Sequence, residues 1–207
     1  MAITHRDRTI VDFRSKMTGG GARSNLFEVN IKYPDVISGL IGDATGLGEF
    51  LIKSAEIPAS NIGNIPVPFR GRVLPIAGDR TFDPWTVTII NDTNFTIRDA
   101  MEKWSNFIND LQTAQGVIDP EAYQKSATVK QLSRQGTKPT GGIEVLRTYK
   151  FDGIYPNVVS SIPLDYGATD QIEEFQVTFN YLFYEVTGGS GAITEGKGIA
   201  TTLTEKS

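Results

Sequence analysis

Residues 174–184 read EFQVTFNYLFY. Phe175, Val177, Phe179, Tyr181 and Phe183 fall on one side of an extended chain, and Gln176, Thr178, Asn180, Leu182 and Tyr184 on the other. A period of two built from aromatic and β-branched residues is the pattern of a half-buried strand, and it makes this a β protein. Working outward, Phe27, Val29, Ile31 and Tyr33 alternate with Glu28, Asn30 and Lys32, a second strand that Pro34 ends. Trp85, Val87 and Ile89 alternate with Thr86, Thr88 and Ile90 in a third. Further strands are expected over residues 50–57, 69–76, 125–134 and 143–151, with a turn at Gly78-Asp79. Residues 34–48 hold four glycines and no strand pattern, and are expected to form a long loop.

One segment departs from this period. Ile97, Met101, Trp104, Ile108 and Leu111 recur at helical spacing, with Thr96 and Asp99 resembling a capping box and Gly116 suited to the far end. A helix over residues 97–115 is expected, its Ile97, Met101, Trp104 and Ile108 face anchored in the core. The fold class is therefore mainly β: two packed antiparallel sheets, sandwich or barrel, with one flanking helix.

The composition narrows function by exclusion. The 207 residues include no cysteine, which removes thiol nucleophiles, disulfides and thiolate metal sites. The single histidine, His5, cannot supply a two-histidine metal cluster, and it sits in a charged, solvated arm. Glu173 and Glu174 are adjacent in a strand and point to opposite faces, so they cannot share a substrate. Gly46 and Gly48 lead into a strand pattern and make no phosphate cradle. Catalytic, cofactor and metal residues are all expected to be absent, and a structural or binding protein is favoured over an enzyme. The N-terminal stretch is too charged for a signal peptide, and no window reaches the ~18 apolar residues of a membrane span. No membrane partner is expected. The sequence reads as that of a chain folded in a cytoplasm, where the N-x-T triplets at Asn91 and Asn94 are chance.

Net charge is −4, unevenly spread. Residues 1–24 carry Arg6, Arg8, Arg14, Lys16 and Arg23 against Asp7 and Asp12, a surplus of three positive charges on a body with a surplus of seven negative ones. A basic arm can bind nucleic acid or the acidic body of another copy. With Phe13 its only aromatic residue, docking on another copy is favoured. Gly19–Gly21 reads as a hinge between this arm and a domain over residues 25–185. Residues 186–207 are rich in Gly and Thr and cannot make a core of their own. Both ends are expected to be ordered by neighbouring subunits. Asp79, Arg80 and Asp83 are further candidates for contacts within or between subunits, set against a solvated turn.

Residues 76–92, IAGDRTFDPWTVTIIND, closely resemble the tail tube protein family of T-even-like contractile-tailed phages, in which a similar segment leads into a helix. SNLFEVNI at 24–31, AEIPA at 55–59, IPVPF at 65–69, AYQKSATV at 122–129, GIYPNV at 153–158 and FQVTF at 175–179 resemble that family in the same order. Residues 34–48 and 135–148 are longer than the family's segments, and the tail has no counterpart in it. The resemblance implies a subunit that closes into hexameric rings stacked into a tube. It implies as partners the tail sheath, tape measure, baseplate and tail terminator proteins, with DNA passing through the lumen without specific binding. It places the chain in the virion, assembled in the host cytoplasm. An inner tube or tube-end protein of a related injection system, including a baseplate hub, is the runner-up. A β-sandwich enzyme or ligand-binding domain is the remote alternative.

Overall fold

A computed structural model describes residues 10–17, 21–42, 44–137 and 143–188. Among these residues, five helices, α1 (Ile10–Lys16), α2 (Asp35–Ser38), α3 (Ala44–Leu51), α4 (Thr96–Ile108) and α5 (Pro120–Tyr123), accompany nine strands. The strands are β1 (Phe27–Ile31), β2 (Ile52–Ala55), β3 (Ser60–Phe69), β4 (Arg72–Phe82), β5 (Trp85–Ile90), β6 (Lys125–Thr137), β7 (Ile143–Val159), β8 (Glu174–Asn180) and β9 (Phe183–Thr187).

Seven strands pair antiparallel in the order β1-β6-β7-β8-β5-β2, with β9 also on β7. The 17-residue β7 is shared between two halves of this sheet. Its first part pairs with β6 as far as Ile154 and with β9 over Thr148–Asp152, and from Tyr155 it pairs with β8. The change falls at Gly153, whose φ of 69° is open to glycine without strain. Opposite it the chain breaks between β8 and β9 at Tyr181 and Leu182, where the Leu182 N–H donates to the Asp152 carbonyl at 3.0 Å. The sheet curls there and its halves face each other. Val29, Ala127, Val129, Tyr149, Phe151 and Val186 on one side meet Trp85, Val87, Ile89, Phe175, Val177 and Phe179 on the other.

Helix α4 flanks this core. Ile97, Met101 and Trp104 are buried and Ile108 is half-buried against the core. Trp104 meets Tyr33 edge-on at 5.6 Å, and its indole N–H donates to the Tyr123 carbonyl at 2.9 Å. A buried indole thus has both an apolar bed and a partner for its polar atom.

Several expectations are corrected. The helix ends at Ile108 rather than at 115, because Asn109 is extended and Asp110 draws the next N–H groups to itself. The Asp110 Oδ1 accepts from the backbones of Gln112 and Thr113, an Asx turn that competes with helix, and Leu111 is exposed. These bonds to Thr113 and Gln112 also hold the Asp110 carboxyl below its usual pKa. The start is capped by Asp92, not by a Thr96–Asp99 box: its two oxygens accept from the Thr96 N–H and hydroxyl, both at 2.8 Å. Residues 34–48 contain α2 and α3 rather than a long loop, with Ile37, Ile41 and Ala44 buried. Residues 50 and 51 end α3, which leaves only Ile52–Ala55 as strand. The Gly78-Asp79 turn lies inside β4. Pairing shifts between Ile62 and Asn64, and Gly63 faces Gly78 and Asp79 so closely that an added Cβ would lie 3.2–3.3 Å from its neighbours. These glycines serve a bulge. The inward phase of the 174–184 segment also changes at its break. Phe175, Val177 and Phe179 point in, and beyond Leu182 it is Val186 that is buried, with Tyr184 packed on the core instead of Phe183.

Candidate assembly interface

Strands β3 and β4 form a separate two-stranded sheet closed by Arg70 and Gly71, at φ of 46° and 79°. Positive φ at both central residues is the geometry of a tight two-residue hairpin. Ile65 faces Ile76, Val67 faces Leu74 and Phe69 faces Arg72, so Ile65, Val67, Phe69, Leu74 and Ile76 share one side of the ribbon. All five are exposed, Phe69 by 66% and Leu74 by 58%. A lone two-stranded ribbon is marginal in water, and an apolar face of this size marks an interaction surface.

The ribbon is unsuited to sideways strand addition. Pro66 pairs with Pro75, and two residues without N–H groups can face each other only at a non-hydrogen-bonded position. Their nitrogens, and that of Pro68, therefore point to the outer edges, which lack donors there. The ribbon is built to dock by its face.

The loop between β7 and β8, residues 160–173, is a second protruding surface, with Leu164 and Ile172 exposed by 80% and 72%. It frames a concavity of about 710 Å³ whose rim includes Asp165, Asp170 and Glu173. Helix α1, with Met17 just after it, is the third: Ile10, Val11, Phe13 and Met17 are all exposed.

Of the charged residues singled out from sequence, Arg6 and Arg8 lie outside the described residues, as do Gly19 and Gly20 of the hinge and residues 189–207 of the tail. Arg14 and Lys16 lie on α1 and Arg23 beyond the hinge, all exposed. Asp79 and Arg80 are exposed on β4 and form no ion pair among the described residues, while Asp83 accepts from the Asn61 amide at 3.0 Å. The structure does not bring these residues into one cluster. Glu174 pairs with Lys53 at 2.6 Å and Glu173 accepts from Asn91 at 3.0 Å, so the two carboxylates have separate partners. Among the described residues no group of His, Asp and Glu is placed to hold a metal ion, and no helix is long and apolar enough to cross a membrane.

The hairpin face was missed in the sequence. Its signal was the alternation Ile65, Val67, Phe69 on one side of Arg70-Gly71 and Leu74, Ile76 on the other, with prolines in the intervening positions.

The phage tail tube protein family matches residues 22–187. The chain belongs to this family. It is 33% identical over 175 residues to the tail tube protein gp19 of Enterobacteria phage T4, which spans 83% of this chain and 96% of that one. The tail tube protein of Serratia phage KSP90 is 27% identical over 175 residues, 84% of this chain and 94% of its own. The fold is shared with a chain of the sheath/tube terminator of an extracellular contractile injection system, PVC, in its extended state. That match has a TM-score of 0.56 at 14% identity and covers 81% of this chain and 97% of that one. A tail tube protein is a virion component, and its family members are structural proteins. The apolar hairpin and the protruding β7–β8 loop lie inside the region shared with the family, whereas α1 lies before it.

Proposed function

We propose that this tail tube protein closes into six-membered rings that stack into a hollow tube inside a contractile sheath. The tube encloses the tape measure protein, ends on baseplate and terminator proteins, and conducts DNA without gripping it. Assembly takes place in the host cytoplasm, and the subunit catalyses nothing. The observation that carries the reading is the β3–β4 ribbon, whose side of Ile65, Val67, Phe69, Leu74 and Ile76 stands exposed, uncovered by the other described residues. Burying five large side chains against a second copy contributes about 25 cal/mol per Å² of apolar surface removed from water. The acidic body suits a conduit, since a lumen without basic side chains makes no phosphate contacts and releases no counterions.

The test is Val67→Glu with Leu74→Glu. Both positions are solvent-exposed on the ribbon, so the subunit is expected to fold with an unchanged circular dichroism spectrum. By sedimentation and negative-stain electron microscopy it is expected to remain a monomer where the unaltered protein forms rings or tubes. An unaltered protein that stays monomeric at high concentration, or a variant that assembles as readily, overturns the reading.

A further inference from the structure

Helix α1 is seven residues long, and a helix so short does not persist in water without a partner. Ile10, Phe13 and Met17 are spaced to fall on one side, and no residue of α1 is buried on its own subunit. Arg14 and Lys16 sit in its last turn and make no ion pair among the described residues. The β7–β8 loop has the complementary character. Residues 160–173 contain three acidic residues and no basic one, against the surplus of three positive charges on residues 1–24. Leu164 and Ile172 stand exposed on the loop, and Asp170 has no partner among the described residues.

The two surfaces leave the sheet from different halves of β7. The arm joins the body at Phe27, which pairs with Gln131, and Gln131 pairs with Arg147 near the start of β7. The loop begins at Ser160, after the other end of β7, roughly 40 Å further along the strand path. In a head-to-tail stack, the arm of one copy meeting the loop of the next is the heterologous contact from which an open-ended tube is built.

We propose that α1 of one subunit docks on the β7–β8 loop of a second copy in the adjoining ring. Ile10, Phe13 and Met17 lie against Leu164 and Ile172, and Arg14 and Lys16 lie beside Asp165 and Asp170. This rests on the tube reading and adds to it a specific longitudinal contact, made by a segment that precedes the part of the chain shared with the family. Because the pairs are at the surface, the contact weakens as salt rises.

The absence of cysteine allows a direct test with the full chain. Phe13→Cys together with Leu164→Cys, assembled and treated with a short bismaleimide, is expected to give a ladder of covalent multimers on a denaturing gel. An equimolar mixture of the two single variants is expected to stop at dimers. Reversing charge with Arg14→Glu and Lys16→Glu is expected to raise the concentration needed for tube growth about tenfold. Adding Asp165→Lys and Asp170→Lys to that variant is expected to restore growth. Tubes that form without the ladder, a cross-link confined to single chains, or charge reversal without effect overturn the docking while leaving the tube reading intact. Failure of the unaltered protein to form rings or tubes overturns the tube reading, and the docking with it.

Discussion

The rings of Trp85 and Phe151 stack across the gap between the facing halves of the sheet, centroids 4.4 Å apart and planes inclined by 23°. Trp85 belongs to β5 and Phe151 to the first part of β7, so this contact joins the halves that the corner in β7 folds together. Both are buried, and the Trp85 indole N–H is satisfied by the Glu56 carbonyl at 2.9 Å. Phe151→Ala is expected to cost about 3–5 kcal/mol in urea unfolding of an assembly-deficient subunit. A cycle of Trp85→Leu and Phe151→Leu is expected to return a coupling of about 0.5–1.5 kcal/mol beyond area burial. Independent, additive effects would mean that the stack does not couple the two halves.

The corner itself depends on Gly153. At its φ of 69° a side chain is strained, and an added Cβ would lie 2.6 Å from the Leu182 side chain, inside contact distance. Gly153→Ala is expected to destabilise by more than the roughly 1–2 kcal/mol that a left-handed backbone costs a residue with a Cβ, because strain and clash act together. Gly153→Ala combined with Leu182→Ala is expected to recover only part of the loss. Full recovery would show that the backbone conformation carries no strain.

For helix α4 the prediction separates two caps. Asp92→Ala is expected to lower stability by about 0.5–2 kcal/mol, since it strips both bonds to Thr96. Asp99→Ala is expected to change it little, because the Asp99 carboxylate lies on the exposed side in a long 3.9 Å pair with Lys103. Equal effects in thermal melts would contradict the assignment of Asp92 as the cap.

This pair of aspartates also shows where the sequence stops being legible. The helical face of Ile97, Met101 and Trp104 could be read because burial imposes the 3.6 period on side-chain chemistry. The cap could not, because Thr96/Asp99 and Asp92/Thr96 are both plausible spacings, and backbone geometry decides between them: Phe95 takes a left-handed φ of 56°. The strands flanking the core were legible for the same reason as the helix face, with Trp85, Val87 and Ile89 alternating against threonines. Helices α2 and α3 were hidden because both are short and Gly46 and Gly48 inside α3 lower the intrinsic preference that packing then overrides, with Ile37, Ile41 and Ala44 buried. The interface was the least legible part. Prolines argue against a strand when it is central, and Pro66, Pro68 and Pro75 fit only because both edges of the hairpin are free.

Tyr181 sits beside that hairpin, within 5.7 Å of Phe82 and 5.1 Å of Phe151 between ring centroids. Its hydroxyl oxygen is closed off from solvent and has no hydrogen-bond partner. Desolvation, followed by the nearby Tyr184 and the Asp83 carboxylate, pushes its pKa up from 10.0 to about 12. The neutral hydroxyl is therefore favoured by folding. Its contribution to stability is complete below pH 10 and is lost as pH rises from 10 towards 12, because only the unfolded chain then releases the proton readily. Tyr181→Phe is expected to flatten this part of the alkaline decline without abolishing it, since burial raises the pKa of Tyr33 in the same direction. Near pH 8 the variant is expected to match or exceed the parent by about 1 kcal/mol, because it removes an unpaired buried hydroxyl and keeps the ring. Urea midpoints at pH 8 and pH 11 decide the matter: a parent and variant that lose stability equally between the two would show that the Tyr181 hydroxyl reaches water in the folded subunit.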